Sequence, residues 1–99
     1  MASTKEFKDY IVEQLSILDS ITYIPMMGEY IFYYKKVVFG GIYDDRFLVK
    51  KTKSNQKYQM SEEIPYPKGK PMYLVDVLED QEELRRIILD TYNDLKEQK

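Results

Sequence analysis

The sequence predicts a two-layer α+β domain, an antiparallel sheet with an N-terminal and a C-terminal helix packed on one face. Three observations predict it. Apolar residues recur at helical spacing near both ends of the chain. Between them, Ser20 to Lys50 is a succession of β-rich segments split by short polar turns. Strands that follow one another directly pair as antiparallel hairpins, since parallel pairing needs a long crossover. A chain of 99 residues suits one domain, taken as residues 1–99.

Each element has its own signal. Ser3-Thr4-Lys5-Glu6 fits a capping box, and Phe7, Tyr10, Ile11, Leu15 and Leu18 follow on one helical stripe, so a helix is expected from about Thr4 to Leu18. Ser20 to Met26 reads as a strand whose Pro25 denies a ladder donor and marks an edge or a strand end. Met27-Gly28 is a turn. Strands are expected over Glu29 to Tyr34, Val37 to Tyr43 and Arg46 to Lys50. Asp44-Asp45 suits a tight hairpin because aspartate tolerates left-handed backbone, whereas Lys35-Lys36 fits either a two-residue turn or a longer loop. Thr52 or Ser54 can cap a short helix reaching about Met60, and Pro65, Pro67, Gly69 and Pro71 punctuate a loop. Met72 to Val77 reads as the last strand. Asp80 with Glu83 forms a second capping box, ahead of an apolar stripe of Leu84, Ile87, Ile88, Tyr92 and Leu95.

Composition narrows the chemistry. The chain has no cysteine and no histidine, which removes disulfides, thiolate metal sites and the commonest general base. Carboxylate, Lys, Tyr, Ser and Thr chemistry remains. A net charge of −2 argues against bulk attraction to nucleic acid. The start, Met1-Ala2-Ser3-Thr4-Lys5-Glu6, lacks the apolar core of a signal peptide, and the longest apolar stretch, Val37 to Tyr43, falls far short of the ~20 residues that span a bilayer. The expectation is a cytoplasmic protein without a membrane partner.

If both hairpin turns have two residues, Tyr34 faces Val37, Phe32 faces Phe39 and Glu29 faces Ile42. Alternation then places Ile31, Tyr33, Val38, Ile42, Phe47 and Val49 on the helix-covered face. The other face collects Tyr30, Phe32, Tyr34, Phe39, Tyr43 and Leu48, edged by Arg46 and Lys50. Three accounts of that aromatic face stay open. The Pro-rich loop or a helix folds over it, a register slip at Lys35-Lys36 swaps the strand's faces, or it docks a protein partner or a second copy. Gly40-Gly41 within a strand is expected to mark a bulge or a closely packed ring, and it does not match a phosphate-binding glycine pattern.

Other candidates have plain explanations beside chemical ones. Glu29, Asp44 and Asp45 could hold magnesium or act as an acid/base pair in a small metal-dependent enzyme; a turn plus a strand-end carboxylate bonded to backbone or to Arg46 is the favoured account. Glu79-Asp80 and Glu82-Glu83 fit a helix start. Lys50, Lys51, Lys53, Lys57, Lys68 and Lys70, interleaved with Tyr58, Tyr66 and Tyr73, suit a solvated face or a weak nucleic-acid groove.

Tyr23-Ile24-Pro25-Met26-Met27-Gly28-Glu29-Tyr30, then Gly40-Gly41-Ile42-Tyr43-Asp44-Asp45-Arg46-Phe47-Leu48-Val49-Lys50, then Lys70-Pro71-Met72, resemble the N-terminal domain of the TfoX/Sxy competence-regulator family. The resemblance runs from the first helix to the last. It implies an α+β two-layer domain and a transcriptional coregulator of bacterial DNA-uptake genes, acting with the cyclic-AMP receptor protein. It brings no catalytic residue, cofactor or metal. Family members with a further C-terminal helical domain extend beyond the point where this chain ends, so the expectation is a stand-alone N-terminal domain. The function expected is a non-enzymatic regulatory module that binds a protein partner through Tyr30, Phe32, Tyr34, Phe39, Tyr43, Arg46, Leu48 and Lys50.

Overall fold

A computed structural model describes residues 3–97; Met1-Ala2 of the N-terminal stretch and the last two residues lie outside the described residues. Helix α1 spans Lys5–Gln14 and continues as a 3-10 turn over Leu15–Ile17. Six strands follow: β1 Ile21–Met26, β2 Glu29–Tyr34, β3 Val37–Tyr43, β4 Arg46–Val49, β5 Glu62–Glu63 and β6 Met72–Leu74. Helix α2, Gln81–Leu95, closes the chain. Every strand pair is antiparallel, in the order β1-β2-β3-β4-β6-β5. The two-layer α+β class is therefore as expected. The short β5 was not foreseen, and β6 stops before Val77.

Both helix starts have identifiable caps. The Thr4 side chain accepts from the Phe7 amide, and the Asp80 carboxylate accepts from the Glu83 amide, each satisfying a donor that the first turn leaves free. The capping hydroxyl of α1 is thus Thr4, while Ser3 turns away to donate to Glu29. The stripes Ile11, Leu15 and Leu18 from the first helical segment and Leu84, Ile87 and Ile88 from α2 join one core with the sheet. Tyr10 stays outside it.

Each of the first three hairpins closes with a two-residue turn. Met26 pairs with Glu29, Tyr34 with Val37, and Tyr43 with Arg46. The six turn residues Met27, Gly28, Lys35, Lys36, Asp44 and Asp45 all have positive φ, the mirror-image turn that matches strand twist. Only one of these six is glycine, so the remainder adopt left-handed backbone at some cost.

The face assignment expected from alternation is overturned by one residue. Tyr34 pairs with Val37 and Tyr33 with Val38, but Phe32 pairs with Gly40 and Tyr30 with Ile42. Phe39 is skipped, a β-bulge, and beyond it the faces of β3 swap relative to β2. Tyr30, Phe32 and Tyr34 therefore share the helix-covered face with Ile42, Phe47 and Val49. Phe32, Phe39 and Phe47 meet edge to face, with centroids 6.0–6.4 Å apart, and are essentially closed to solvent. Ile31, Tyr33 and Val38, expected in the core, lie half-buried on the opposite face. The Gly40-Gly41 pair thus does flank a bulge. At Gly40 a Cβ would sit 2.2 Å from the Leu48 carbonyl oxygen; at Gly41 one would meet the Tyr30 carbonyl oxygen and the Tyr43 ring.

β1 is the outermost strand. The Lys35 amide donates to the Ser20 carbonyl, so alternate positions Thr22, Ile24 and Met26 bond inward to β2. Pro25 falls on the outward-pointing set, where its missing amide costs no ladder bond.

Two outcomes follow from this backbone. Gly40→Ala is expected to lower unfolding free energy by roughly 3 kcal/mol, because the new methyl group meets backbone that cannot rotate away. An unchanged urea midpoint would show that β3 and β4 can separate at no cost. Lys36→Gly removes a left-handed cost of ~1–2 kcal/mol and adds ~0.5–1 kcal/mol of chain entropy, so a gain of about 0.5 kcal/mol is expected in thermal unfolding.

Candidate functional site

The expected docking set is divided by the bulge. Phe32, Tyr34 and Phe39 are buried beneath the helices, and Tyr34 stacks edge-on against Tyr92 of α2 at 4.9 Å. Tyr30 is half-buried on that same face, beside Tyr23 and under Lys8 of α1. Tyr43, Arg46, Leu48 and Lys50 lie on the opposite, helix-free face. These eight residues do not form one surface, because the alternation that grouped them omits the extra residue at Phe39.

The Pro-rich loop covers much of the helix-free face at β4. The Arg46 guanidinium bonds Glu63 at 3.1 Å and the carbonyls of Ile64 and Pro65, while its Nε reaches the Tyr43 carbonyl. Tyr66 lies against Tyr43, centroids 6.0 Å apart, and Pro65 is buried. Leu48 is fully enclosed. Burial pushes the Tyr43 hydroxyl above its ordinary range, with Tyr66 and the Glu29 carboxylate adding to the shift.

Towards β1 the same face is open. Ile24 pairs with Ile31, Thr22 with Tyr33 and Tyr33 with Val38, giving an apolar strip across three strands. Ile24 is 43% and Met26 51% exposed, and Met27 at the hairpin tip is 98% exposed. The sequence identifies these three only as strand and turn residues. Their signal was the alternation of Thr22, Ile24 and Met26 around an edge proline.

Glu29, Asp44 and Asp45 do come together, as clasps for the chain start. The Glu29 carboxylate accepts from the Asp44 amide at 3.1 Å and from the Ser3 hydroxyl. Asp45 accepts from the Thr4 amide at 2.7 Å, and its own amide donates to Ser3. Tyr30, not Glu29, stands opposite Ile42. Among the described residues no group of three or more carboxylates is placed to hold a metal ion. Glu82 and Glu83 lie in the first turn of α2, as a helix start requires.

Five of the six central lysines fall into two groups. Lys57 pairs with Asp90 of α2 at 3.1 Å. Lys50, Lys51, Lys68 and Lys70 line a cavity of about 790 Å³ between β3 and the Pro-rich loop, with Tyr43 and Tyr66 in its wall. Lys51 is held by Glu62 at 2.7 Å, whose carboxylate raises the ammonium's pKa.

The chain after β4, which carries Lys50 and Lys51, is fixed from inside. Asn55 is fully buried, and its amide nitrogen donates to the Lys50 carbonyl at 2.8 Å and to the Thr91 hydroxyl at 2.9 Å. Its side-chain oxygen accepts from the Thr52 amide. Ser54 donates twice to Asp94, and these bonds depress the Asp94 pKa. The Tyr58 hydroxyl donates to Asp90 at 2.7 Å. Burial, reinforced by that carboxylate, pushes its pKa up to about 12.

Comparison with known protein families finds none that matches this chain, and no curated protein matches it. Among the described residues no helix is long and apolar enough to cross a membrane.

Tyr58 gives a pH-dependent outcome. Its folded pKa lies above the ordinary value, so its stabilising contribution is complete below about pH 10 and is lost as pH rises through 12. In an absorbance titration at high pH, the latest-titrating tyrosine signal is expected to vanish in Tyr58→Phe and to move to lower pH in Asp90→Asn. A late step that is lost in Tyr58→Phe but stays at the same pH in Asp90→Asn would remove the Tyr58–Asp90 bond from the account.

Proposed function

We propose that this chain is a non-enzymatic binding module of the TfoX/Sxy N-terminal type, which docks a protein partner on the open part of its helix-free face. The observation that carries the reading is the exposed strip led by Ile24 and Met26, continuing over Ile31, Tyr33 and Val38, with Met27 at its tip. Exposed apolar groups gathered on one face mark contact surfaces more often than singly scattered ones do. Methionine suits the role because its unbranched thioether adapts to different surfaces. Lys36 stands exposed at the turn that ends the strip, without a carboxylate within 4.0 Å among the described residues. The partner chemistry that fits is an apolar segment flanked by acidic side chains. Resemblance of the Met-Met-Gly-Glu-Tyr and Tyr-Asp-Asp-Arg-Phe runs to TfoX/Sxy supports transcriptional coregulation as the setting, and a cytoplasmic location goes with it.

Photo-crosslinkers at Ile24 and Met26, introduced in the source cell, test this. The expected result is one protein captured from both positions and not from Arg85 on α2. That protein, once purified, should bind the wild-type chain and lose at least about tenfold in affinity to Ile24→Glu/Met26→Glu, at an unchanged melting temperature. Unaltered affinity would overturn the reading. So would a chain dimer in sedimentation that the double substitution dissociates, since the strip would then serve self-association.

A further inference from the structure

The cavity beside the Pro-rich loop is unlike the rest of the molecule in charge. Four lysines line it and no carboxylate does, in a chain whose net charge is −2. Only Lys51 among the four has an acidic partner; Lys50, Lys68 and Lys70 have no carboxylate within 4.0 Å among the described residues. Like charges along one wall repel one another, and an anion among them reverses the sign of that interaction.

Two further features lie at the cavity wall. The Gly69 amide donates to the Tyr66 carbonyl at 2.8 Å, closing a turn in which Lys68 has φ 69. Left-handed backbone is unfavourable for a residue with a β-carbon, and the glycine that would tolerate it sits one position later. Tyr66, 57% exposed, offers a flat ring at the cavity wall against Tyr43.

We infer that this cavity is a binding site for a small phosphorylated ligand carrying a planar ring, a nucleotide in chemical class. Lys50, Lys68 and Lys70 take the phosphates, and Tyr66 stacks on the ring. A volume of about 790 Å³ lies within the range of small-ligand sites. The acidic balance outside the cavity opposes a long polyanion, which favours a mononucleotide over single-stranded nucleic acid. The site borders the protein contact proposed above at Val38, but its lysines and Tyr66 are separate from Ile24 and Met26, so the two tests can fail independently.

Calorimetry on the full chain, with ADP, pyrophosphate, adenosine and a short single-stranded oligonucleotide as probes, tests it. ADP is expected to bind with a sub-millimolar Kd that weakens with salt, and Lys50→Ala and Lys70→Ala each weaken it about tenfold. Lys68→Gly relieves the left-handed turn, so it should melt no lower than wild type while binding ADP more weakly. That pairing separates a ligand-binding lysine from a structural one. Absence of heat from ADP at about 1 mM, or ADP affinity indifferent to all three substitutions, overturns the site. Pyrophosphate binding as tightly as ADP overturns the role given to Tyr66. An oligonucleotide that binds more than about tenfold tighter than ADP overturns the small ligand in favour of nucleic acid.

Discussion

One inserted residue governs which side of this sheet is inside. β2 must satisfy the Lys35-Lys36 turn at one end and the helix-covered face along its length. With strict pairing from that turn, Phe32 would face Phe39 and lie on the side opposite Ile42. The bulge at Phe39 lets Phe32 and Tyr34 join Ile42, Phe47 and Val49, and it brings Phe39 into the same core. Burying a phenylalanine removes roughly 150–250 Å² from water, worth at most about 4–6 kcal/mol per ring. The bulge disrupts the ladder locally, at a cost nearer ~1 kcal/mol per bond. Even part of that cost is recovered, because the Phe39 carbonyl accepts from the Lys50 amide at 2.8 Å. Burial of the Phe32 and Phe39 rings therefore outweighs the irregularity. Gly40 makes the irregularity possible, since a side chain there would collide with the neighbouring strand.

The connections serve this arrangement by fastening distant parts of the chain to one another. The Asp44-Asp45 tip holds the start of α1 through Ser3 and Thr4, so one turn ends a hairpin and fixes a helix entry. Asn55, shut away from water, links the end of β4 to α2 through the Lys50 carbonyl and Thr91. A buried amide is tolerated only when its donors and acceptor are met, and here both donors and the oxygen are used. Both fastenings bear on the candidate sites. The first frames the open hairpin; the second holds the backbone from which Lys50 and Lys51 project.

Much of this was legible in the sequence because it is periodic. The bounds of β2 and β3, the cap of α2 and the helical stripes follow from spacing and from residue types that have one physical use. A bulge is a single insertion, and period-two reading has no place for it. Its visible sign was Gly40-Gly41 in mid-strand, which indicated where alternation breaks without indicating by how many residues. The assignments in β2 and at the start of β3 then inverted, turning Tyr30, Phe32, Tyr34 and Phe39 to the helix side and Ile31, Tyr33 and Val38 away from it, while Ile42, Phe47 and Val49 kept the face expected of them. The lysine cavity shows a second limit. Its basic residues were evident along the chain, but their convergence depends on the path of the Pro-rich loop, which is set by Arg46 bonding the carbonyls of Ile64 and Pro65. Asn55 gave no warning either, since a polar residue among lysines ordinarily faces solvent.

Pro25 on the outer strand has a consequence for how the protein behaves in a crowded solution. A sheet that ends in a six-residue strand offers unpaired amides to any extended chain that drifts alongside. Here the outward set is Ile21, Tyr23 and Pro25, and the last contributes a ring in place of a hydrogen. An arriving strand could pair with Ile21 and Tyr23 but would find no donor at Pro25, close to the very hairpin whose exposed methionines would otherwise encourage it. The margin nearest the sticky tip is thus the one least able to seed a fibril, leaving that tip free for contacts made by side chains.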